Sequence, residues 1–221
     1  MITDAQIVDA VAELYGADPQ FDDLLWPDAD AGVAVALRRY DDIDLVIFRG
    51  STTGQDWERD LMAVPMPSGA YPQIGWVHPG FLLGLDQTFA HIKPLLRGGK
   101  VRTVVSGHSL GAGRASQFGG LLIAADPSID VEAVIFGEPR SGCRTLRTLW
   151  APKPYRSYRN ADPSGAGHDM VTDVPTMPPY CQNRPLIDVF GEPSSRDPWL
   201  LLKYHHIQLY QEGVKAMERA Q

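Results

Sequence analysis

The sequence predicts an α/β fold in which a mostly parallel sheet carries helices on both faces. Short apolar runs typical of buried strands alternate with segments of helical spacing along most of the chain. One of these strand-to-helix transitions, at residues 107–111, reads Gly-His-Ser-Leu-Gly. With 221 residues, 44% of them hydrophobic and 21% charged, the chain has the size and composition of one globular domain spanning residues 1–221.

A helix is predicted close to the N-terminus. Thr3 and Gln6 have the spacing of a capping box, and Gly16 is a suitable C-terminal stop. Between them the apolar residues recur on one helical face: Ile7, Val8, Val11, Leu14 and Tyr15. Residues 17–31 are polar and contain proline, and we expect them to form a connection.

The next segment predicts a hairpin that leads into irregular structure. Strands are expected at 32–37 and 43–48, with a turn at 38–42 between them. Residues 50–79 contain many glycines, prolines and aromatic residues, which favour loops. Only a short helical pattern is visible there, around residues 56–62.

Helix and strand then alternate through the middle of the chain. A helix is expected from residue 81 to 92, because Pro94 interrupts the apolar spacing. A strand at 101–106 leads into a second helix that ends near residue 125. Another buried strand follows at 131–136.

The last third of the chain predicts a long loop, one strand and a closing helix. Residues 160–184 are rich in proline and glycine, as loops are. A final strand is expected at 185–190. The helix at 206–219 has an apolar face made of Ile207, Tyr210, Val214 and Met217.

The Gly-x-Ser-x-Gly pattern makes Ser109 a candidate nucleophile. A serine hydroxyl is a weak nucleophile, and a tight strand-to-helix turn exposes it for attack. Such a turn brings the residues two before and two after the serine together, and both are glycine here, Gly107 and Gly111. The N–H of Leu110 would then face an oxyanion formed on the attacked carbonyl.

A serine nucleophile needs a histidine base, and the base needs a carboxylate that fixes its tautomer. In the α/β-hydrolase fold, which has this kind of serine turn, the acid and then the histidine follow the serine in the chain. The candidate bases after Ser109 are His168, His205 and His206. The candidate acids are Asp162, Asp169, Asp173 and Asp188.

Composition excludes several other classes of function. A net charge of −7 argues against binding to nucleic acid and against electrostatic docking on an anionic membrane.

Cys143 and Cys181 are too few for a disulfide framework, and we expect two reduced thiols. The sequence has neither zinc-ligand spacing nor a glycine-rich phosphate loop, so we expect no metal and no cofactor. It shows no signal peptide and no apolar run of ~20 residues, so a cytoplasmic location is the default expectation.

Several motifs, taken in order, resemble the class 3 (fungal-type) lipase family. Residues 48–51 read Phe-Arg-Gly-Ser, residues 77–81 read Val-His-Pro-Gly-Phe, and residues 136–142 read Phe-Gly-Glu-Pro-Arg-Ser-Gly. Together with residues 107–111, they extend the resemblance over about residues 33–210. The resemblance implies an α/β-hydrolase fold and a serine ester hydrolase that cleaves acylglycerols or other acyl esters. The alternatives are a phospholipase, a feruloyl-type esterase or a non-catalytic lipid-binding relative.

The resemblance also favours one acid. The family has its acid in Asp-x-Val-Pro-x-Leu-Pro, and residues 169–175 read Asp-Met-Val-Thr-Asp-Val-Pro, with Thr172 in place of proline. Asp169 is therefore the predicted acid. Asp173 would require the motif to slip by four residues, and Asp162 is more simply explained as a turn residue.

For the base, the resemblance favours His205. Many relatives have His-x-Ile/Leu-x-x-Tyr at the start of the last helix, and residues 205–210 read His-His-Ile-Gln-Leu-Tyr. His206 remains the alternative. Two N–H donors are expected to stabilise the oxyanion, one from Leu110 and one from Ser51, whose hydroxyl could add a further bond.

The segment at 54–61 corresponds to the lid of the family. Besides Trp57 and Leu61, it is rich in charged residues, which predicts a short, polar lid, weak activation at a lipid interface and a preference for short to medium acyl chains. The implied partner is a small-molecule or lipid ester substrate, and no protein partner is inferred. Apolar residues after the lid are expected to be core, or else the rim of an acyl pocket: Met62, Val64, Met66, Tyr71 and Trp76.

Overall fold

A seven-stranded sheet and a separate two-stranded hairpin make up the β-structure of the computed structural model, which describes residues 2–28, 33–50, 64–69, 71–193 and 203–221. In chain order the strands are β1 (Asp23–Asp28), β2 (Val33–Arg39), β3 (Ile43–Phe48), β4 (Met66–Pro67), β5 (Trp76–Val77), β6 (Arg102–His108), β7 (Val131–Phe136), β8 (Tyr155–Asn160) and β9 (Leu186–Val189). The large sheet has the order β1-β2-β3-β6-β7-β8-β9, and β4 pairs with β5.

The α-helices are α1 (Asp4–Glu13), α2 (Leu85–Ile92), α3 (Leu110–Ala125), α4 (Arg144–Trp150) and α5 (Ile207–Arg219). Short 3-10 turns lie at Pro72–Ile74, Pro79–Phe81, Lys93–Leu95 and Met170–Asp173. Within the described ranges, no helix combines the length and the apolar character that a membrane span needs.

The strands run parallel from β3 through β6, β7 and β8 to β9, whereas β1, β2 and β3 pair antiparallel. The mostly parallel sheet predicted from the sequence is therefore confirmed. The register pairs Phe48 with Gly107, and His108 with Phe136. The carboxyl ends of β3, β6 and β7 thus meet at one edge of the sheet, where α/β folds place their sites.

Helices cover both faces of the sheet, as the alternation of elements predicts. On one face, α2, α3 and α4 pack against side chains that include Ala133 and Ile135 of β7. On the other, α1 and α5 pack against side chains that include Val134 and Phe136 of the same strand. Successive residues of a strand point to opposite faces, which is why this continuous apolar strand serves two cores.

The N-terminal helix is fixed at both ends. Its capping box forms as predicted, with Thr3 and Gln6 each accepting from the other's backbone N–H. Asp4 in its first turn receives two 2.7 Å hydrogen bonds from the guanidinium of Arg156 in β8. Beyond its last turn lies Tyr15, which reaches the carboxyl end of β3.

Four features differ from the sequence prediction. The helix expected from residue 81 begins only at Leu85, after a 3-10 turn at Pro79–Phe81. Strand β1 lies inside residues 17–31, which were expected to be only a connection. Helix α4 and strand β8 occupy a stretch in which the sequence predicted no element. Strands β4 and β5 form a small hairpin within the region expected to be irregular.

Candidate active site

Ser109 occupies the turn between β6 and α3. Its φ of 60° and ψ of −128° place it in a region that side chains with a Cβ atom rarely adopt, and no other non-glycine residue in the described ranges has a positive φ. Such a backbone costs about 1–3 kcal/mol and persists only where the surrounding structure imposes it. The strained turn exposes the serine between a buried strand and a buried helix.

The two glycines of the motif allow the turn to close. A Cβ atom on Gly107 would lie 2.5 Å from the carbonyl oxygen of Gly111. A Cβ atom on Gly111 would lie 2.1 Å from the carbonyl oxygen of Phe48 in β3. Both distances are far below van der Waals contact, so the close approach predicted for these residues requires glycine at both positions.

Asp169 and His205 meet through a short hydrogen bond. His205 Nδ1 lies 2.7 Å from Asp169 Oδ2, and both side chains are buried. The carboxylate also accepts a 2.9 Å bond from the backbone N–H of Val171 at Oδ1 and a bond from the hydroxyl of Tyr210 at Oδ2. These three donors compensate the cost of removing a carboxylate from water.

His205, the predicted base, lies next to the serine turn. The ring of His108, the residue before Ser109, stacks on the ring of His205 with centroids 4.5 Å apart. Because Asp169 binds Nδ1, the ring atom of His205 left for proton transfer is Nε2. Gly137 packs closely against this pair, since a Cβ atom there would lie 2.9 Å from Asp169 Oδ2 and 3.0 Å from His205 Cε1.

Leu110 is the first residue of α3, a helix of 16 residues. Its N–H therefore belongs to the positive end of a helix that starts at the serine, which suits stabilisation of an oxyanion. Ser51, the predicted second donor, and residues 54–61 of the predicted lid lie outside the described residues. The neighbouring Gly50 is described, and its N–H donates a 2.9 Å hydrogen bond to the hydroxyl of Tyr15.

The alternative acids Asp162 and Asp173 and the alternative base His206 have other partners or are exposed. Asp162 accepts a 2.8 Å hydrogen bond from the N–H of Ser164, which agrees with its interpretation as a turn residue. Asp173 pairs with His168 at 2.7 Å, and both side chains are partly exposed. His206 is exposed and occupies the N-cap position of α5.

The comparison with protein families gives a clear result. The model of the family described as Lipase (class 3) matches residues 45–178, which is more than half of the chain. The chain belongs to the class 3 lipase family. Membership of this family makes the protein a carboxylic ester hydrolase.

Solved structures of fungal proteins share the fold. A mutant form of MDLA from Penicillium cyclopium is 18% identical over 88% of this chain and 80% of that chain, with a TM-score of 0.66. A Rhizomucor miehei lipase propeptide complex is 21% identical over 84% of this chain and 65% of that chain, with a TM-score of 0.63. A lipase from Rhizopus microsporus var. chinensis is 18% identical over 86% of this chain and 75% of that chain, with a TM-score of 0.62. The comparison with curated proteins gives no match.

An apolar cluster links the two halves of the site of this class 3 lipase. Phe81, Leu110 and Val171 are buried together, and Val174 packs against them. Leu110 follows the serine, and Val171 is two residues after Asp169. The cluster therefore forms an apolar wall next to both segments, and the close contact between Phe81 and the helix backbone at Gly113 fixes its position.

The residues after the lid are mostly not core. Val64, Met66 and Trp76 are exposed by 63%, 52% and 52%, so the expectation that these three are core was wrong, and the alternative of a pocket rim stays a prediction. Tyr71 packs against the core cluster that lies under α3. Met62 lies outside the described residues.

Sequence reasoning missed the hydroxyl of Tyr210 as a member of the site. The helical pattern identified this residue only as part of an inward-facing apolar face. In the structure its hydroxyl donates to Asp169 Oδ2, and burial together with the nearby Asp169 raises its pKa well above the usual value. The family pattern at the start of the last helix contains a tyrosine at this position. The pattern alone, however, does not indicate that the tyrosine hydroxyl binds the acid.

A buried glutamate, Glu138, is the second residue after the end of β7. Glu138 is fully buried and accepts hydrogen bonds from the side chains of Ser141 (3.2 Å), Asn183 (3.0 Å) and Ser157 (3.4 Å). Burial raises its pKa from 4.5 to about 7, and the hydrogen bonds offset only part of that effect.

We expect Glu138 to make the lipase less stable as the pH rises from 4.5 to about 7. The folded protein binds this proton more tightly than the unfolded chain, so the contribution of Glu138 to stability is fully present below 4.5 and falls by about 3 kcal/mol across this interval. In Glu138→Gln the free energy of unfolding, measured with urea between pH 4 and 8, should lose this decline. The exposed Glu212→Gln is the control and should keep it. An unchanged decline in Glu138→Gln would contradict the assignment.

Proposed function

We propose that this class 3 lipase hydrolyses acyl esters with Ser109 as nucleophile, His205 as general base and Asp169 as the acid that orients the base. The observation that carries the proposal is the buried 2.7 Å hydrogen bond between His205 Nδ1 and Asp169 Oδ2, next to a strained serine turn. Asp169 and His205 are 36 residues apart in the chain. A buried carboxylate bound to one ring nitrogen of a histidine is the arrangement that leaves the other nitrogen basic.

Acylation begins when His205 Nε2 takes the proton of the Ser109 hydroxyl. The serine oxygen then attacks the acyl carbonyl, and the negative charge moves onto the carbonyl oxygen. The N–H of Leu110 and a donor from Ser51 stabilise this oxyanion. The negative charge of Asp169 stabilises the imidazolium that has formed, and His205 finally passes its proton to the leaving alcohol.

Deacylation uses the same groups, with a water molecule in the place of the serine hydroxyl and Ser109 as the leaving group. His205 removes a proton from a water molecule, and the resulting hydroxide attacks the carbonyl of the acyl-enzyme. The second oxyanion forms at the same position, so the same donors stabilise it. Its collapse breaks the bond to Ser109 Oγ, which recovers its proton from His205 and releases a carboxylic acid.

The proposed substrate is an acylglycerol or another acyl ester with a short to medium acyl chain. The wall of Phe81, Leu110 and Val171 supports an apolar acyl group next to the serine. The sequence of the lid segment at 54–61 carries Asp, Glu, Arg and Asp among eight residues, which supports a polar cover. A polar lid has little apolar surface to expose at an oil interface, so we expect weak interfacial activation.

A series of p-nitrophenyl esters from acetate to palmitate tests this proposal. Initial rates measured below and above the solubility limit of each ester should peak at short or medium chains and show no jump at that limit. A maximum at palmitate with a jump above the solubility limit would contradict the chain-length preference. Failure to hydrolyse any ester of the series, together with binding of the same esters, would indicate a non-catalytic lipid-binding protein instead.

A further inference from the structure

A chain of hydrogen bonds links the end of β3 to the backbone of the proposed base. The hydroxyl oxygen of Tyr15 lies 2.9 Å from the backbone nitrogen of Gly50 and 3.2 Å from His108 Nδ1. On the other side of the same ring, His108 Nε2 lies 2.6 Å from the carbonyl oxygen of His205. One buried ring therefore bridges a phenol and the main chain of the base.

The chemistry of these groups fixes the direction of every bond. The carbonyl of His205 can only accept, so His108 Nε2 carries a proton. Burial and the nearby His205 hold the pKa of His108 well below its usual value, so the ring is neutral and Nδ1 is an acceptor. The phenol of Tyr15 then donates to Nδ1 at 3.2 Å, in preference to the carbonyl oxygen of His108 at 3.5 Å, and burial keeps it protonated by raising its pKa to about 12. The same oxygen accepts the N–H of Gly50.

Close packing holds the chain in place. A Cβ atom on Gly50 would lie 2.5 Å from the hydroxyl oxygen of Tyr15 and 2.7 Å from the carbonyl oxygen of His108. It would also lie 3.3 Å from the Cβ atom of Ser109. Glycine at this position lets the phenol, the strand end and the serine turn approach one another.

We propose that Tyr15 and His108 are positioning residues for ester hydrolysis. Together they hold the backbone at Gly50, two residues after the end of β3, and the main chain of His205 at a fixed separation. A fixed separation lets the oxyanion donor proposed next to Gly50 and the base act on the same substrate carbonyl. This inference rests on the proposed function, because it assigns a purpose to the distance between the oxyanion donors and the base. Tyr15 acts through His108 and through the strand end, not through contact with the substrate.

The variant Tyr15→Phe tests the proposal, because it keeps the ring and removes only the hydroxyl. Misplacement of catalytic groups by a fraction of an ångström lowers rates by up to about 100-fold. We expect kcat for p-nitrophenyl butyrate to fall about 10- to 100-fold, with KM changed by less than about threefold. The affinity for an alkyl boronic acid, which forms a tetrahedral adduct with the serine, should weaken by the same factor as kcat/KM.

Tyr40→Phe is the matched control, since Tyr40 lies at the turn between β2 and β3, at the opposite end of β3 from the site. Its kcat should equal that of the wild type. A merely structural role of Tyr15 would lower the urea midpoint and leave both kcat of the folded fraction and boronate affinity unchanged. A wild-type kcat in folded Tyr15→Phe would overturn the proposal.

A double-mutant cycle shows whether the two residues act as a unit. His108→Phe should lower kcat in the same way. In the double variant with Tyr15→Phe, kcat should fall no further than in the more impaired of the two single variants. Losses that multiply would overturn the proposal. If His108→Phe does not fold, the kcat and boronate affinity of Tyr15→Phe decide the question alone. A wild-type protein that hydrolyses no ester refutes the proposed function itself, whereas an active wild type with an equally active Tyr15→Phe refutes only this inference.

Discussion

Replacement of Ser109 by alanine should abolish ester hydrolysis in a protein that remains folded. The hydroxyl oxygen is the atom that bonds to the acyl carbon, and neither His205 nor Asp169 can replace it. Loss of the nucleophile from a triad lowers kcat on the order of 10⁶-fold, because the remaining groups act only through the serine. With p-nitrophenyl butyrate this brings the rate to that of the uncatalysed reaction plus the small contribution of the oxyanion donors.

Labelling with a fluorophosphonate gives a second, independent measurement on the same variant. The wild type should take up one label, and the labelled peptide identified by mass spectrometry should contain Ser109. Ser128→Ala is the matched control, because Ser128 is exposed and its hydroxyl bonds only locally, to Asp126 at 2.6 Å. Retained hydrolysis in Ser109→Ala, or a label on another serine, would remove Ser109 as nucleophile.

The parts of the fold that the sequence predicts are those fixed by local chemistry. The serine turn is one example, because Gly107 and Gly111 are required by the contact of the turn with itself and with β3. The capping box of α1 is another, since Thr3 and Gln6 bond within one helical turn. In such cases the residue type reports directly on the backbone that it occupies.

The elements that the sequence missed are stabilised by distant partners. Strand β8 contains Arg156 and Arg159, whose charges conceal its strand character. In the structure Arg156 pairs with Asp4, and Arg159 pairs with Asp188 at 2.7 Å. Strand β1 is at the edge of the sheet, where Pro27 is tolerated because no strand lies beyond it in the described sheet.

The same reason limits what sequence alone reveals about the site. A local motif predicts Ser109 as the nucleophile, and family resemblance predicts Asp169 and His205. Tyr15 has no such signal, because its partners are Gly50 and His108, 35 and 93 residues away. The pairing of β3 with β6 brings Gly50 and His108 together, and the packing of α1 on the sheet brings Tyr15 to them.

Replacement of Asp169 by asparagine should lower kcat about 10⁴-fold, if triad chemistry applies here as in other serine hydrolases. The carboxylate accepts hydrogen bonds at both oxygens, from Val171 N–H at Oδ1 and from His205 and Tyr210 at Oδ2. An asparagine has only one oxygen, so its NH₂ group must face one of these donors in either orientation.

Each orientation has a different cost, and both are severe. If the amide oxygen faces His205, the tautomer of the base survives, but the charge that stabilises the imidazolium is lost and an N–H points at the N–H of Val171. If the NH₂ group faces His205, the ring proton moves to Nε2, and the base can no longer take the proton of Ser109.

Asp162→Asn and Asp173→Asn are the matched controls for this prediction. Both carboxylates lie on the same long loop as Asp169, yet Asp162 bonds to Ser164 and to the hydroxyl of Tyr204, and Asp173 bonds to the partly exposed His168. None of these contacts involves the ring of His205, so kcat of both variants should stay within about threefold of the wild type. A loss of 10³-fold or more in either control, with Asp169→Asn still active, would contradict the assignment. The hydrogen bond between Asp169 and His205 would then not operate during turnover, and another acid would have to reach His205 through a rearrangement of the loop.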